Sequence, residues 1–343
     1  TRLARLIAAM GPISVAHYMA ECNATYYAAR DPLGVSGDFI TAPEISQMFG
    51  EMVGVWLADI WARAGRPTRV CFVELGAGRG TLTRDALWVM ARFGLRPEVH
   101  LVETSRVLRD AQRELLGDVV WHDDPSTLPN DAALLVVGNE FLDALPVRQM
   151  VKTEGGWRER MVGLDGARLV PVAGDRPMDA AVPDAMRDAP LGAIVESCSA
   201  AVAVVDDLAR RIAAQGGAAL FFDYGYGDAQ MGSSLQAVKA HRKVDPFVAA
   251  GTADLTALVD FGVLVEVAER SGARHLGTAA QGDWLQALGI GARAEALIAK
   301  APEQAAEIAA ALHRLTADEE MGSLFKVMGL AGVGWPDGAG FGL

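Results

Sequence analysis

The stretch VELGAGRGTL, residues 73–82, carries the most informative chemistry in the chain. A short apolar run ends at Glu74-Leu75, Gly76, Gly78 and Gly80 follow at alternate positions, and a helix-like run begins. Glycine accepts positive φ and lets a ligand approach the backbone, and a helix start offers unpaired N–H groups. Dinucleotide enzymes use G-x-G-x-x-G here, with the pyrophosphate at the helix start. This chain has G-x-G-x-G, with Glu74 just ahead of it. A carboxylate repels pyrophosphate but attracts the ammonium and sulfonium of S-adenosylmethionine. Glu74, Gly76, Gly78 and Gly80 are therefore expected to bind that cofactor; a tight strand–helix turn without ligand is the plain alternative.

Further acids stand at the ends of later apolar runs. Glu103 closes EVHLVE (98–103), where an acid accepts ribose hydroxyls in nucleotide-binding sheets; a surface helix cap is the alternative. WHDD (121–124) follows the next run, and Asp123 is expected to accept from an adenine amino group. His122, Asp123 and Asp124 also read as a metal cluster, but no His or Cys stands at ligand spacing, so no metal is expected. Asp124, before Pro125, reads as a turn residue. GNEFLDALPV (138–147) follows the fourth run. Ligands lie beyond the carboxyl ends of parallel strands. That places Asn139, Glu140 and Asp143 at the transferable methyl, although the same residues suit a helix N-terminus.

These positions require a parallel sheet. Apolar runs at 69–75, 98–103, 118–121 and 133–138 alternate with helical runs at 81–93 and 104–116, the pattern of strands covered on both faces. The fold class is α/β, a parallel sheet covered on both faces. Helices are expected at 1–10 and 45–64, so 1–66 forms an N-terminal helical lid segment. The α/β core takes 67–146 and 191–272, with strands at 191–196 and 218–227, a helix at 199–214 and a mostly helical run at 254–272. A hairpin about Glu154-Gly155-Gly156 and an irregular run at 163–190 make 147–190 an insertion. Residues 273–343 are a C-terminal helical region, Ala-rich at 282–321, with a final strand at 323–332. Its helices serve packing or a homodimer surface. Trp88 and the methionines are assigned to the core.

The chain has 343 residues, a net charge of −12, 51% apolar and 22% charged residues. This is a globular composition. Its negative charge argues against nucleic acid as the main partner. Cys22, Cys71 and Cys198 are odd in number and far apart, which fits a reducing compartment without disulfides. No run of about 18 uncharged apolar residues predicts a membrane span. The sequence begins at Thr1, so a targeting segment ahead of it is left open.

GDFITAPEISQMFGE, VELGAGRGTL, NEFLDALPV, FFDYGYG, HRKVDPF, GTADLTALVDF and QGDWLQALGI occur in the order found in the MidA-like methyltransferases. From about Gly11 to its end, the chain resembles this family, relatives of the arginine methyltransferase that assists assembly of respiratory complex I. It departs from the family pattern at ECNATYYAARDPLG, which is shorter. The resemblance implies a Rossmann-like class I methyltransferase sheet, S-adenosylmethionine as cofactor and symmetric dimethylation of an arginine on a complex I subunit. It places the protein in the cytoplasm of a bacterium or the mitochondrial matrix of a eukaryote. Three other readings stay open: methylation of a small molecule or another residue type, a non-catalytic cofactor-binding assembly chaperone, and an NAD-dependent oxidoreductase.

For an arginine acceptor, Glu140 and Asp143 are expected to hold the guanidinium and take its proton, with Asn139 orienting it through its carbonyl. GDFITAPEISQMFGE is expected to fold over the donor as a lid, with Asp38, Thr41, Glu44 and Gln47 touching cofactor or acceptor. A capping box of Thr41 and Glu44, with Ile40, Ile45, Met48 and Phe49 as core, is the structural alternative. Asp223 and Tyr224 are expected in the acceptor pocket. His241 is a candidate proton relay, against the commoner role of a hydrogen-bonded structural histidine.

Overall fold

The computed structural model describes residues 2–29, 40–239, 242–248 and 250–342. At its centre lie β1 Val70–Leu75, β2 Glu98–Val102, β3 Val120–His122, β4 Ala133–Asn139, β5 Gly217–Tyr226, β6 Arg274–Ala280 and β7 Phe325–Ala331. Their spatial order is β3-β2-β1-β4-β5-β7-β6. The first five run parallel; β7 is antiparallel to both neighbours. Every residue of β1 and β4 is buried, which is why both read as unbroken apolar runs. The order reverses between β1 and β4, and a crevice opens beyond the carboxyl ends of strands at such a switch point.

Eight helices concern the site: α1 Arg2–Met10, α2 Val15–Ala29, α3 Ala42–Ile45, α4 Gln47–Arg63, α5 Thr81–Arg92, α6 Arg106–Leu116, α7 Ser199–Gln215 and α8 Phe261–Arg270. One face of the sheet buries Phe72 and Phe222 with Phe49 and Trp56 of α4, Leu82 and Ala86 of α5, and Trp284. The other packs Val73, Val136 and Phe221 against α7 and α8. Helices α4 and α5 touch through small residues: a Cβ at Gly54 would fall 2.7 Å from the Ala86 carbonyl oxygen. That close approach brings α3 to the turn after β1.

A second, five-stranded sheet holds Ile13–Ser14, Gly156–Asp165, Arg148–Thr153, Ile194–Ser197 and Arg168–Pro177. Here the structure corrects three expectations. Residues 163–190 are not wholly irregular, because Arg168–Pro177 pairs antiparallel with Gly156–Asp165. That strand is largely exposed and contains prolines, so it has no apolar run. The strand expected in the α/β core at 191–196 pairs instead with Arg148–Thr153; periodicity identifies a strand but not its sheet. The region 254–272 is helical only over Phe261–Arg270, since Asp254–Thr256 and Val259–Asp260 are strands. Trp88 is not core either: it is 49% exposed, with the Arg92 guanidinium 4.3 Å above its ring. Helices Gln281–Ala287, Ile290–Lys300 and Ala305–Thr316 occupy the Ala-rich region as expected. All three cysteines are free thiols. Among the described residues no helix is long and apolar enough to cross a membrane.

Candidate active site

A cavity of about 520 Å³ opens at the carboxyl ends of β1, β2 and β4. Glu74, Gly76 and Gly78 line it from the glycine turn, Glu103 from the end of β2, and Asn139 and Glu140 from the end of β4. Gly76 has φ 64°, and a Cβ there would sit 2.9 Å from the Phe141 ring. Gly80, at φ 85°, begins α5; a Cβ would meet Leu116 at 2.9 Å, so its place is helix packing behind the cavity. Gln112 of α6 donates to the Gly78 carbonyl at 2.8 Å and steadies the turn from outside.

Glu74 is buried, accepts from the Thr83 hydroxyl, and burial pushes its carboxyl up to about 8. Glu103 accepts the Ser105 N–H at 2.8 Å, and burial raises it as well. Two buried acids, flanking a turn in which a Cβ at Gly76 would collide with Phe141, fit a cationic sulfonium donor; Glu103 has the Arg109 guanidinium beside it, bonded to its backbone carbonyl at 2.6 Å. Asp123 does not join them. Its side chain is 84% exposed and pairs with Arg109 at 2.7 Å, and Thr104, Ser105 and Leu108 line this side of the cavity instead.

The loop after β4 is held in an unusual shape. Glu140 has φ 51°, a left-handed conformation that a non-glycine residue adopts only under constraint. Its Oε1 accepts from the Ala42 N–H and from Asn139 Nδ2, each at 3.2 Å. Asn139 Oδ1 is buried without a hydrogen-bond partner. Asp143 and Asp223 lie behind this pair rather than on the cavity wall. Asp223 Oδ2 accepts the N–H groups of Leu142 at 2.9 Å and Asp143 at 3.2 Å, so it shapes the loop. Tyr224 packs on Phe325, ring centroids 4.0 Å apart. Burial drives Glu140 up to about 8 and Asp223 to about 7, and Asp143 well above the carboxylate range; nearby acids add to the shifts of Glu140 and Asp143.

The segment after residue 39 closes one side of the cavity. Thr41, Pro43 and Glu44 line it. Glu44 Oε1 accepts from the Thr81 hydroxyl at 2.6 Å, and Arg79 reaches Oε2 at 3.4 Å. Glu44 thus bridges to the glycine turn, and the Ala42 N–H bridges to Glu140. The capping box does not form: Thr41 makes no side-chain cap bond, and Ser46 caps α4 by accepting from Met48 N–H. Gln47 turns away and bonds Glu51, which Arg293 grips with two contacts of 2.6 Å. Asp38 and His241 lie outside the described residues. Sequence reasoning missed Asn23, which lines the cavity from α2. It donates to the carbonyls of Ala144 at 3.1 Å and Leu255 at 2.8 Å, tying α2 to the loop after β4. Its one local signal is a lone amide in a largely apolar helix.

These acids make stability pH-dependent. Below about pH 4.5, Glu74 and Glu140 are protonated folded or unfolded. From there to about pH 8 the folded protein keeps protons that the unfolded chain has released, so rising pH removes stability. The buried histidines shift the other way, an opposing contribution that is over by about pH 7.5, a unit above their free value of about 6.5. The melting temperature of the ligand-free protein is expected to fall by on the order of 5 °C between about pH 6.5 and 8.5. A scanning-calorimetry profile that is flat across this window rules the shifts out.

The comparisons agree with this geometry. A family model described as "S-adenosyl-L-methionine-dependent methyltransferase" matches residues 52–279. The chain is 36% identical over 360 residues to protein arginine methyltransferase NDUFAF7, mitochondrial, of Danio rerio, covering 94% of this chain and 84% of the relative. Against the Homo sapiens protein of that name the identity is 36% over 336 residues, with coverages of 87% and 74%. A COG1565 superfamily member from Burkholderia thailandensis, crystallised with S-adenosyl-homocysteine, superposes with a TM-score of 0.84 at 30% identity, covering 99% of this chain and 92% of that one. A turn suited to a cationic donor, a fold that superposes on that solved structure and relatives along nearly the whole chain converge: the protein belongs to this family of S-adenosyl-L-methionine-dependent methyltransferases.

Proposed function

We propose that the enzyme methylates an arginine side chain of a protein, with a respiratory complex I subunit as the acceptor. The observation that carries this reading is the pairing of the Glu140 carboxylate with the unpartnered Asn139 Oδ1 on the wall that also holds Glu74 and Glu103. Two acceptors side by side, with Asp143 and Asp223 behind them, match a planar cation carrying several N–H donors. Guanidinium is that cation, and it stays charged at any working pH. The relatives' names, protein arginine methyltransferase, support the choice.

When bound, S-adenosylmethionine supplies an electrophilic methyl group on a sulfonium. The residues do the rest. Glu74 and Glu103 hold the donor's cationic and hydroxyl groups beside the glycine turn. Glu140 accepts N–H bonds from the guanidinium and draws its charge away from the nitrogen facing the methyl, while Asn139 Oδ1 fixes the plane of the group. As the nitrogen is alkylated it sheds a proton, and Glu140, with a proton affinity raised by burial, takes it. The bonds from Thr81 to Glu44 and from Ala42 to Glu140 keep the segment after residue 39 closed over these groups.

The test is incubation of purified enzyme with methyl-labelled donor and isolated complex I subunits, followed by acid hydrolysis and amino-acid analysis. Label is expected in dimethylarginine, the symmetric isomer by the family resemblance. Label in another amino acid or in a small molecule replaces the acceptor named here. A donor that binds without transferring label to any co-expressed partner favours an assembly chaperone.

A further inference from the structure

We propose a second site, at the opposite end of the same strands: a zinc-class divalent metal held by Cys71, Glu98 and His100. The register of β1 and β2 pairs Cys71 with Glu98, and His100 stands two residues further along, on the same face. The thiol sulfur, a carboxylate oxygen and a ring nitrogen of these residues lie within 4.8 Å of one another. His100 Nε2 stands 3.7 Å from Glu98 Oε1. That is too long for a hydrogen bond, yet close to the roughly 3.4 Å edge of a tetrahedron with metal–ligand bonds near 2.1 Å.

The stronger argument is where the protons sit. The Thr127 hydroxyl donates to the Asp124 carbonyl at 2.9 Å, so toward His122 Nδ1, 2.7 Å away, its oxygen accepts. His122 Nδ1 therefore carries a hydrogen. Both rings lie buried in the sheet, where burial favours the neutral form. His122 Nε2 is then a bare acceptor, and it faces His100 Nδ1 at 2.9 Å, which must donate. His100 Nε2 is left with a lone pair. His100 is only 3% exposed, and Nε2 has no hydrogen-bond partner. The relay from Thr127 through His122 thus aims an unused lone pair at Cys71 and Glu98. Metal-bound histidines are built this way, with the second nitrogen donating to an outer partner.

One sulfur, one nitrogen and one carboxylate suit zinc, with water completing four-coordination beside the exposed Glu98. Binding forms the metal–sulfur bond as the Cys71 thiol releases its proton to solvent. The ion would clamp the amino-terminal ends of β1 and β2, whose carboxyl ends carry Glu74 and Glu103.

The experiment uses untagged full chain stripped with chelator and titrated with Zn²⁺ or Co²⁺ alone. We expect one equivalent retained after gel filtration, a thiolate-to-cobalt charge-transfer band and a higher melting temperature. Cys71→Ser should abolish the band, and Glu98→Gln should weaken binding at least tenfold. Glu98 is exposed, so that variant decides the matter alone if Cys71→Ser fails to fold. Folded wild-type protein that retains no metal, or a Glu98→Gln variant that binds as tightly as wild type, overturns the proposal. Neither readout depends on methyl transfer.

Discussion

Glu140→Gln keeps its affinity for S-adenosyl-homocysteine and loses methyl transfer by about 10³-fold. The substitution is nearly isosteric, and a glutamine Oε1 still accepts the Ala42 N–H, so the left-handed loop conformation and the closed segment persist. What disappears is the carboxylate that a bound cation would hold ionised against its raised proton affinity, and with it the base for the acceptor's proton. Removing a positioned general base typically costs about 10²–10⁴ in rate, and an acceptor cation left without its carboxylate adds to that loss. Calorimetry with the product nucleoside, alongside single-turnover transfer, separates the two effects. Transfer at the wild-type rate removes Glu140 from the mechanism; lost nucleoside binding makes it a structural residue instead. The same variant lacks one of the raised acids, so its melting temperature should fall less steeply with pH.

Glu103→Ala weakens binding of S-adenosylmethionine and its demethylated product by about 10- to 100-fold, the loss of one charge-assisted hydrogen bond of roughly 1.5–3 kcal/mol. KM for the donor rises, and transfer at saturating donor stays near wild type, because the contact is made equally before and during the reaction. Asp123→Ala is the comparison variant. Its carboxylate is 84% exposed and bonded to Arg109, so its donor affinity should change by no more than about twofold. Isothermal titration of the three proteins reads this directly. If Asp123→Ala matters and Glu103→Ala does not, the donor lies differently from the arrangement derived above.

Much of the donor half of the site is legible in the chain because it is local. Glu74, the glycines and the start of α5 are consecutive, so residue type and spacing specify strand, turn and helix together. Glu103 and the pair Asn139–Glu140 follow from one further rule, that residues at the carboxyl ends of parallel strands share a rim. What spacing alone leaves open has a common form. Thr41 and Glu44 match a capping box by spacing, yet Glu44 reaches Thr81 and Arg79, because the close packing of α4 on α5 brings the donor turn within range. Gln47 is three residues further on, and one turn of helix carries it to Glu51 and Arg293 instead. Asp223 stands within a strand end as expected, but β5 sets it under the loop after β4, where it accepts the Leu142 and Asp143 N–H groups and holds that loop in place.

The sequence by itself determined the α/β class, the cationic donor and the acidic loop opposite it, since each is written in periodicity or in neighbouring residues. Tertiary structure alone decided which acids face the cavity and which lie behind it, that Asn23 of α2 joins the wall, and that Cys71 meets His100. Those contacts depend on strand order and register between segments far apart in the chain. A shift of one residue along a strand turns its side chains to the other face of the sheet, and spacing along a single chain carries no record of that choice.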